Sequence, residues 1–298
     1  MTSTPTRRRA SAWLPSAALA LCLGSIVAPP AQAQAWPTKQ PIKLVAVFPP
    51  GGSVDQVARI LAPALQQQLG QSVVVDNKGG ASGAIGTAAV VQAPPDGYTF
   101  AVVFDTHGVN PALQPTLPYD TKRDLAAVAL VGTGAMVIAT PAAQPFKTFT
   151  DVVTAARTAQ GVIYGTIGNG SLGHLAMAML AKDHQLNFVH VPYRGGGPLM
   201  NDAVAGHVPL AVGSIFLARP HIDSGRLRPL AVSTRQRSAN LPDVPSLAEV
   251  GFAGFDAPAW WAVLAPAKTP ADIVKRLNDE INAVLKQPDV AAKLAAQG

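Results

Sequence analysis

Gly165-Thr166-Ile167-Gly168-Asn169-Gly170-Ser171-Leu172-Gly173-His174 follows the apolar run 162–164 and opens an amphipathic stretch, 175–180. Glycines between a strand and a helix leave backbone N–H groups uncovered at the positive end of the helix dipole, and such an end attracts anions. Upstream, the apolar run 42–48 passes in the same way into Pro49-Pro50-Gly51-Gly52-Ser53-Val54-Asp55. A lone turn of this kind is explained well enough by glycine's freedom to take φ > 0. Two of them, each followed by serine and a helix, favour anion binding. They predict a clamp for a molecule with negative charge at both ends.

Working outward, β-branched and apolar runs recur at 73–75, 98–104, 126–131, 136–140, 188–193, 209–215 and 230–233, with helical stretches between. Continuous rather than alternating apolarity predicts strands covered on both faces, as in parallel α/β sheets. Val54, Val57, Ala58, Leu61 and Leu65 fall at helical spacing, and Pro63 should kink or shorten that helix. Near the end, Thr269 is expected as an N-cap, Pro270 as the first helical residue and Asp272 as an acid in the first turn. Ile273, Val274, Leu277, Ile281, Val284 and Leu285 continue as one apolar stripe, which stops at Gln287-Pro288. No internal repeat is visible. The proline-rich segments 111–118 and 141–145 read as surface connections or crossings between domains.

Composition narrows the function classes. Arg7, Arg8 and Arg9 precede an apolar run, 17–28, and the small-x-small triplets 31–33 and 33–35, the pattern of a cleaved secretory signal peptide. Residues 1–35 are therefore read as a leader, cut after Ala33 or Ala35, and the chain as exported to the periplasm. Cys22, the single cysteine, belongs to that leader, since bulky Leu21 precedes it where a lipidation site needs a small residue. Without it, neither disulfides nor thiolate metal sites are available. The formal net charge is +6, and the leader's arginines supply half of it. No Lys/Arg cluster remains beyond them, so no nucleic-acid partner is expected. No later apolar run reaches the ~18 residues of a spanning helix. No metal or cofactor is expected.

Two catalytic or cofactor readings compete for the same glycines. Gly168-Asn169-Gly170-Ser171-Leu172-Gly173 matches G-x-G-x-x-G, but a dinucleotide site needs an acid at the end of the next strand. That run ends Val191-Pro192-Tyr193-Arg194. Asn169-Gly170-Ser171-Leu172-Gly173 is one residue away from the nucleophile elbow G-x-S-x-G, with His174 close by and Asp183 or Asp202 as paper partners. A secreted serine hydrolase using Ser171 is thus an alternative, though His174 reads better as a support for the turn.

Phe48-Pro49-Pro50-Gly51-Gly52-Ser53, Asp55 and Ala58-Arg59 resemble the opening strand, loop and helix of the Bug periplasmic solute receptors, the TctC-like substrate-binding proteins of tripartite tricarboxylate transporters. Further matches follow in order: Gly83-Ala84 and Gly86, Pro95-Asp96-Gly97-Tyr98, Asn110-Pro111, Leu117-Pro118-Tyr119-Asp120, and Tyr164 through Leu175. Val191 to Gly195, Asp202, Gly225-Arg226-Leu227-Arg228, Leu241 to Ser246 and Ala265-Pro266 complete the series. The resemblance implies a two-lobe α/β binding protein of type II, each lobe a mostly parallel sheet flanked by helices, joined by two crossings and closing on its ligand. By analogy, lobe one is 36–138 plus 255–298 and lobe two is 139–254. The family usually carries a further helical segment after the position of Gly298, so the chain is read as C-terminally truncated. The implied partners are a small organic carboxylate and transporter subunits, or a signalling partner if the protein is a sensor. A monomer that performs no chemistry is expected.

For lobe one the expected contacts are Phe48 as an apolar wall and Gly51, Gly52 and Ser53 as donors. Ser82, Gly83 and Ala84 follow from the resemblance. Asp55 is expected to order the loop rather than touch ligand. Thr106 and His107 stand at a position that varies between relatives, and an imidazolium at His107 could pair with a carboxylate. For lobe two the expected contacts are Gly168, Asn169, Gly170, Ser171 and His174, with Tyr193 and Gly195 facing the cleft. Asp202, an acid in an acid-binding site, should accept hydrogen bonds from water, a ligand amino or hydroxyl group, or loop amides. Trp260-Trp261 is expected in the core.

Overall fold

Leu44, Ala46, Phe100, Val102 and Phe104 are all buried in the first part of the chain, as are Val162, Tyr164 and Thr166 in the second. These runs become the central strands of two half-sheets. The computed structural model describes residues 36–298 and Thr4, so the expected leader, with Cys22, otherwise lies outside the described residues. The first half contains β1 (Ile42–Ala46), α1 (Ser53–Leu69), β2 (Val73–Asn77), α2 (Ala84–Val91), β3 (Thr99–Phe104), α3 (Thr106–Leu113) and β4 (Leu125–Pro141). The second half contains α4 (Phe149–Ala156), β5 (Val162–Thr166), α5 (Leu172–His184), β6 (Phe188–Pro192), α6 (Gly196–Ala205), β7 (Ala211–Ser214), α7 (Ile215–Asp223) and β8 (Leu227–Val232). The chain then returns through β9 (Pro258–Pro266), α8 (Ala271–Leu285) and α9 (Pro288–Gln297).

In the first half-sheet the strand order is β2-β1-β3-β9-β4, with β2, β1 and β3 parallel and β9 antiparallel to both its neighbours. In the second it is β6-β5-β7-β4-β8, with β4 as the antiparallel member. The plan is the same in both. No sequence repeat betrays it, because burial pattern and turn geometry fix a topology without fixing residue identity.

Strand β4 belongs to both halves. It pairs β9 from Leu125 to Ala135, then β7 and β8 from Met136 onward. The sequence suggested two strands here; the chain instead forms one, bent by irregularities between Ala127 and Ala129 and between Leu130 and Gly132. The returning segment runs beside it. The Ser233 hydroxyl accepts from Met136 N–H (3.0 Å) and donates to the Ala257 carbonyl (2.7 Å), while Ala257 N–H donates to Ser233 O (2.9 Å). Buried Ser233 therefore ties the two crossings together.

Three local expectations need correction. The sequence reading assigned no strand to 258–266, yet β9 is a nine-residue strand, with Trp261 in the core as expected. Trp261 lies 4.9 Å from Phe104 and 5.7 Å from Phe216 of α7, measured between ring centroids, so it packs against both halves. Helix α1 runs through Pro63 to Leu69 without being shortened. The proline is exposed while Leu61, Ala62 and Leu65 beside it are buried, and that packing outweighs the lost backbone bond. Helix α8 starts at Ala271 with Pro270, not Thr269, as its N-cap. Pro270 has φ −52° but ψ 135°, which is not helical, so the helix begins one residue late and the Thr269 hydroxyl has no partner among the described residues.

Candidate ligand-binding cleft

The two glycine turns end β1 and β5 and lead into α1 and α5, as the sequence suggested. In the first, Gly52 is the N-cap of α1 and has no side chain to satisfy the opening amides. Among the described residues the N–H groups of Ser53, Val54 and Asp55 have no partner, whereas Gln56 N–H already reaches Gly52 O (3.0 Å). Asp55 orders the loop: its carboxylate accepts from Gly51 N–H (3.0 Å) and from the Arg59 guanidinium (2.9 Å). Burial alone would raise its pKa, but the bonds from Arg59 and Gly51 outweigh that and hold it below the ordinary value. The buried Ser53 hydroxyl accepts from Trp261 Nε1 (3.2 Å), which leaves its own proton free to donate.

The second turn commits most of its amides internally, while those of Asn169 and Gly173 have no partner among the described residues. Gly168 N–H donates to Thr166 Oγ1 (3.2 Å), Gly170 N–H to His174 Nδ1 (3.1 Å), and His174 N–H to Ser171 Oγ (3.3 Å). Ser171 is fully buried as the N-cap of α5. The link between Ser171 and His174 thus runs through the histidine's backbone, and its Nδ1 serves the turn. That is a capping arrangement, without the side-chain contact a serine nucleophile needs. His174 stacks on His190 with ring centroids 4.0 Å apart, and His190 Nε2 lies 2.7 Å from Thr166 Oγ1. Burial, then the neighbouring His174, pushes the His190 pKa down to about 4, so the pair stays neutral at pH 7.

A glycine seam joins the turns. A β-carbon at Gly197 would stand 2.9 Å from the Pro50 carbonyl oxygen; at Gly196, 3.3 Å from Gly52 Cα; at Gly195, 2.9 Å from Pro49 Cδ and 3.5 Å from the Phe48 ring. Gly51 faces Gly197 in the same way. Gly51, Gly52 and Gly195, expected as ligand donors, are thus also the places where the halves meet. Ser82 completes the seam. Held at φ 52° in a 3₁₀ turn (Ala81–Gly83) that leads to Ala84, it donates its hydroxyl to the Asn169 carbonyl at 2.7 Å. Phe48 walls an outer cavity of about 660 Å³, lined from both halves by Pro49, Ser82, Ile167 and Arg194 among others. A smaller enclosed space behind it is lined by Phe48, Ser53, Phe104, Ile167, Ser214 and Leu217.

Thr106 and His107 open α3 and are buried. His107 stacks with Tyr119 at 6.4 Å, and burial holds its pKa below the ordinary value. It is therefore not an exposed loop histidine, and burial disfavours its imidazolium form. Tyr193 ends up half-buried just after β6, its ring against Gly165, and its hydroxyl donates to Asp202 (2.9 Å). The other Asp202 oxygen lies 3.3 Å from His207 Nδ1. The partners of Asp202 are thus protein side chains, and its visible work is to hold Tyr193.

Sequence reasoning missed Asp105, Ser214 and Leu217. Ser214 caps α7 by accepting from Leu217 N–H (3.3 Å). Asp105 is buried at the end of β3, and a lone acid following an apolar strand was the available signal.

A pair of α/β half-sheets sharing two crossings, with helix N-termini converging on the seam, defines the periplasmic binding protein class. The comparisons make that specific. A family model described as the tripartite tricarboxylate transporter family receptor matches residues 57–298. The chain belongs to that family, the Bug-type solute receptors. It is 40% identical over 266 residues to a UPF0065 protein of Pseudomonas sp. strain P51, found in the tcbD-tcbE intergenic region, covering 89% of this chain and 79% of the relative. Among solved structures it resembles Rpa4515 of R. palustris with adipate (33% identity, TM-score 0.85, 88% of each chain). It also resembles MatC of Rhodopseudomonas palustris with bound malate (29% identity, TM-score 0.82, 88% of this chain and 90% of that one). Family members are periplasmic binding proteins, and among the described residues no helix is long and apolar enough to cross a membrane.

Proposed function

We propose that this protein captures a small organic carboxylate between its two lobes, without covalent chemistry, and hands it to the membrane subunits of a tripartite transporter. The observation that carries the reading is the unpartnered first turn of α1, aimed at the seam that α5 and α6 face from the other side. Adipate and malate in the similar structures support the ligand class. Lobe one is taken as 36–138 with 255–298 and lobe two as 139–254. The observed switch of β4 partners at Ala135/Met136 lies close to the first boundary. Export is assigned to the leader 1–35. Closure is driven by contacts that exist in full only when both lobes reach the ligand.

The experiment is a thermal-shift screen of the mature chain against mono-, di- and tricarboxylates, followed by calorimetry. At a concentration of 100 times Kd a true ligand should stabilise the folded state by about 2.7 kcal/mol. A chromogenic ester should not be turned over. Absence of any shift across the panel, or ester cleavage abolished by Ser171→Ala, would overturn the reading.

A further inference from the structure

Asp105 has a residue exposure of 4%, and neither carboxylate oxygen makes a hydrogen bond to any described residue. It stands at the N-cap position of α3, but its backbone is already helical (φ −47°, ψ −34°) and its side chain caps nothing. Nor is it part of any ion pair among the described residues. The group points across the seam. Burial lifts its pKa to about 7, although the amides of Leu172, the first residue of α5, and of Thr106 approach as weak donors, short of full hydrogen-bond geometry, and draw it down somewhat. A buried carboxylate with no partner costs several kcal/mol unless something neutralises it.

The cleft therefore offers unlike poles. Lobe one presents open amides at the start of α1. On the other side the turn has spent three amides on its own side chains, and the Leu172 amide meets Asp105, which lobe one holds at the end of β3. A second ligand carboxylate placed there would meet Asp105 at close range in a dry site, where like charges repel strongly.

We propose that Asp105 is a specificity-determining residue that receives a cationic nitrogen of the ligand, so that the favoured ligands are amino-carboxylates, with the carboxylate on the α1 amides and the ammonium against Asp105. The assignment rests on the carboxylate-receptor reading above and sharpens it.

Matched probes of equal length decide it: adipate against 6-aminohexanoate, and glutarate against 5-aminopentanoate, by calorimetry on the mature chain. The amino-carboxylate of at least one pair should bind about tenfold or more tightly than its dicarboxylate. Asp105→Asn should remove that preference, and Asp105→Ser, which also deletes a buried charge, should do the same while melting no lower than wild type. A preference for the dicarboxylates that survives Asp105→Asn overturns the proposal. So does dicarboxylate binding accompanied by uptake of one proton, read from calorimetry in two buffers of different ionisation heat, because Asp105 would then act as an acid rather than a counter-charge. If no probe of either kind binds, the carboxylate reading itself fails, and this one with it.

Discussion

The turn after β1 and the turn after β5 are near twins in sequence, each a strand followed by glycines, a serine and a helix. They use the serine in opposite ways. Ser171 is the N-cap of α5, so its oxygen takes an amide out of circulation, whereas Ser53 sits one residue inside α1, behind an N-cap glycine that takes none. The first turn is held by Asp55, which accepts from the Gly51 amide and the Arg59 guanidinium, and by the indole of Trp261 on Ser53. The second is held by its own hydrogen bonds, backed by the stacked His174 and His190. The first turn leaves three helix amides open; in the second the Ser171 cap takes that of His174, and Asp105 stands by that of Leu172. Displacing the serine by one residue changes the state of one helix amide.

Substitutions can break or sharpen that contrast. The largest effect is expected at the seam. A methyl group at Gly197 meets only Pro50 O and the Gly51 carbonyl carbon, both on the opposite lobe. Gly197→Ala should therefore hold the lobes apart at a cost of about 1–3 kcal/mol, a loss of roughly 5- to 150-fold in affinity, with the ligand-free melting temperature unchanged. Calorimetry beside a melting curve checks both halves of that statement, and unaltered affinity would mean that the seam does not close on ligand.

Next comes the scaffold of the open turn. Asp55→Ala removes two bonds to a charged group and should lower both stability and affinity by about 1.5–3 kcal/mol. Since the Asp55 pKa is depressed in the folded protein, its contribution is complete at neutral pH and fades only as pH falls below the ordinary carboxylate value through the lowered one. Wild type and variant should accordingly converge in strongly acidic solution, which a pH series of melting temperatures tests.

The smallest effect belongs to the self-satisfied turn. Ser171→Ala should cost about 0.5–2 kcal/mol of stability through the lost cap, with an affinity loss no greater than that. An affinity loss well beyond the stability loss would put the hydroxyl on the ligand and make the two turns equivalent again.

Much of the fold was legible because strand burial and helix periodicity are local signals. The runs at 42–48, 98–104 and 162–167 became β1, β3 and β5, and the stripe Leu277, Ile281 and Val284 became the buried face of α8. Strand β9 escaped because Pro-Ala-Trp-Trp-Ala-Val-Leu-Ala-Pro carries its bulk in two tryptophans, and neither hydrophobicity nor spacing says that such a run will lie antiparallel between β3 and β4. Of the candidate site, the chain positions were readable but the division of labour was not. Gly51, Gly195 and Gly197 look alike as residues, and only their separation across the seam shows that they permit contact between lobes.

The sequence by itself determined the secondary structure, the repeated strand–turn–helix units and the family, since these depend on residue type at fixed spacing along the chain. Only the tertiary structure decided which amides stay open, which histidines are neutral, and that Asp105 lies buried beside the Leu172 amide of α5. Those properties depend on burial and on partners far away in the chain: Ser53 meets Trp261 and Ser82 meets Asn169. Charge and hydrogen bonding are set by distance through space, and a linear pattern does not carry that distance.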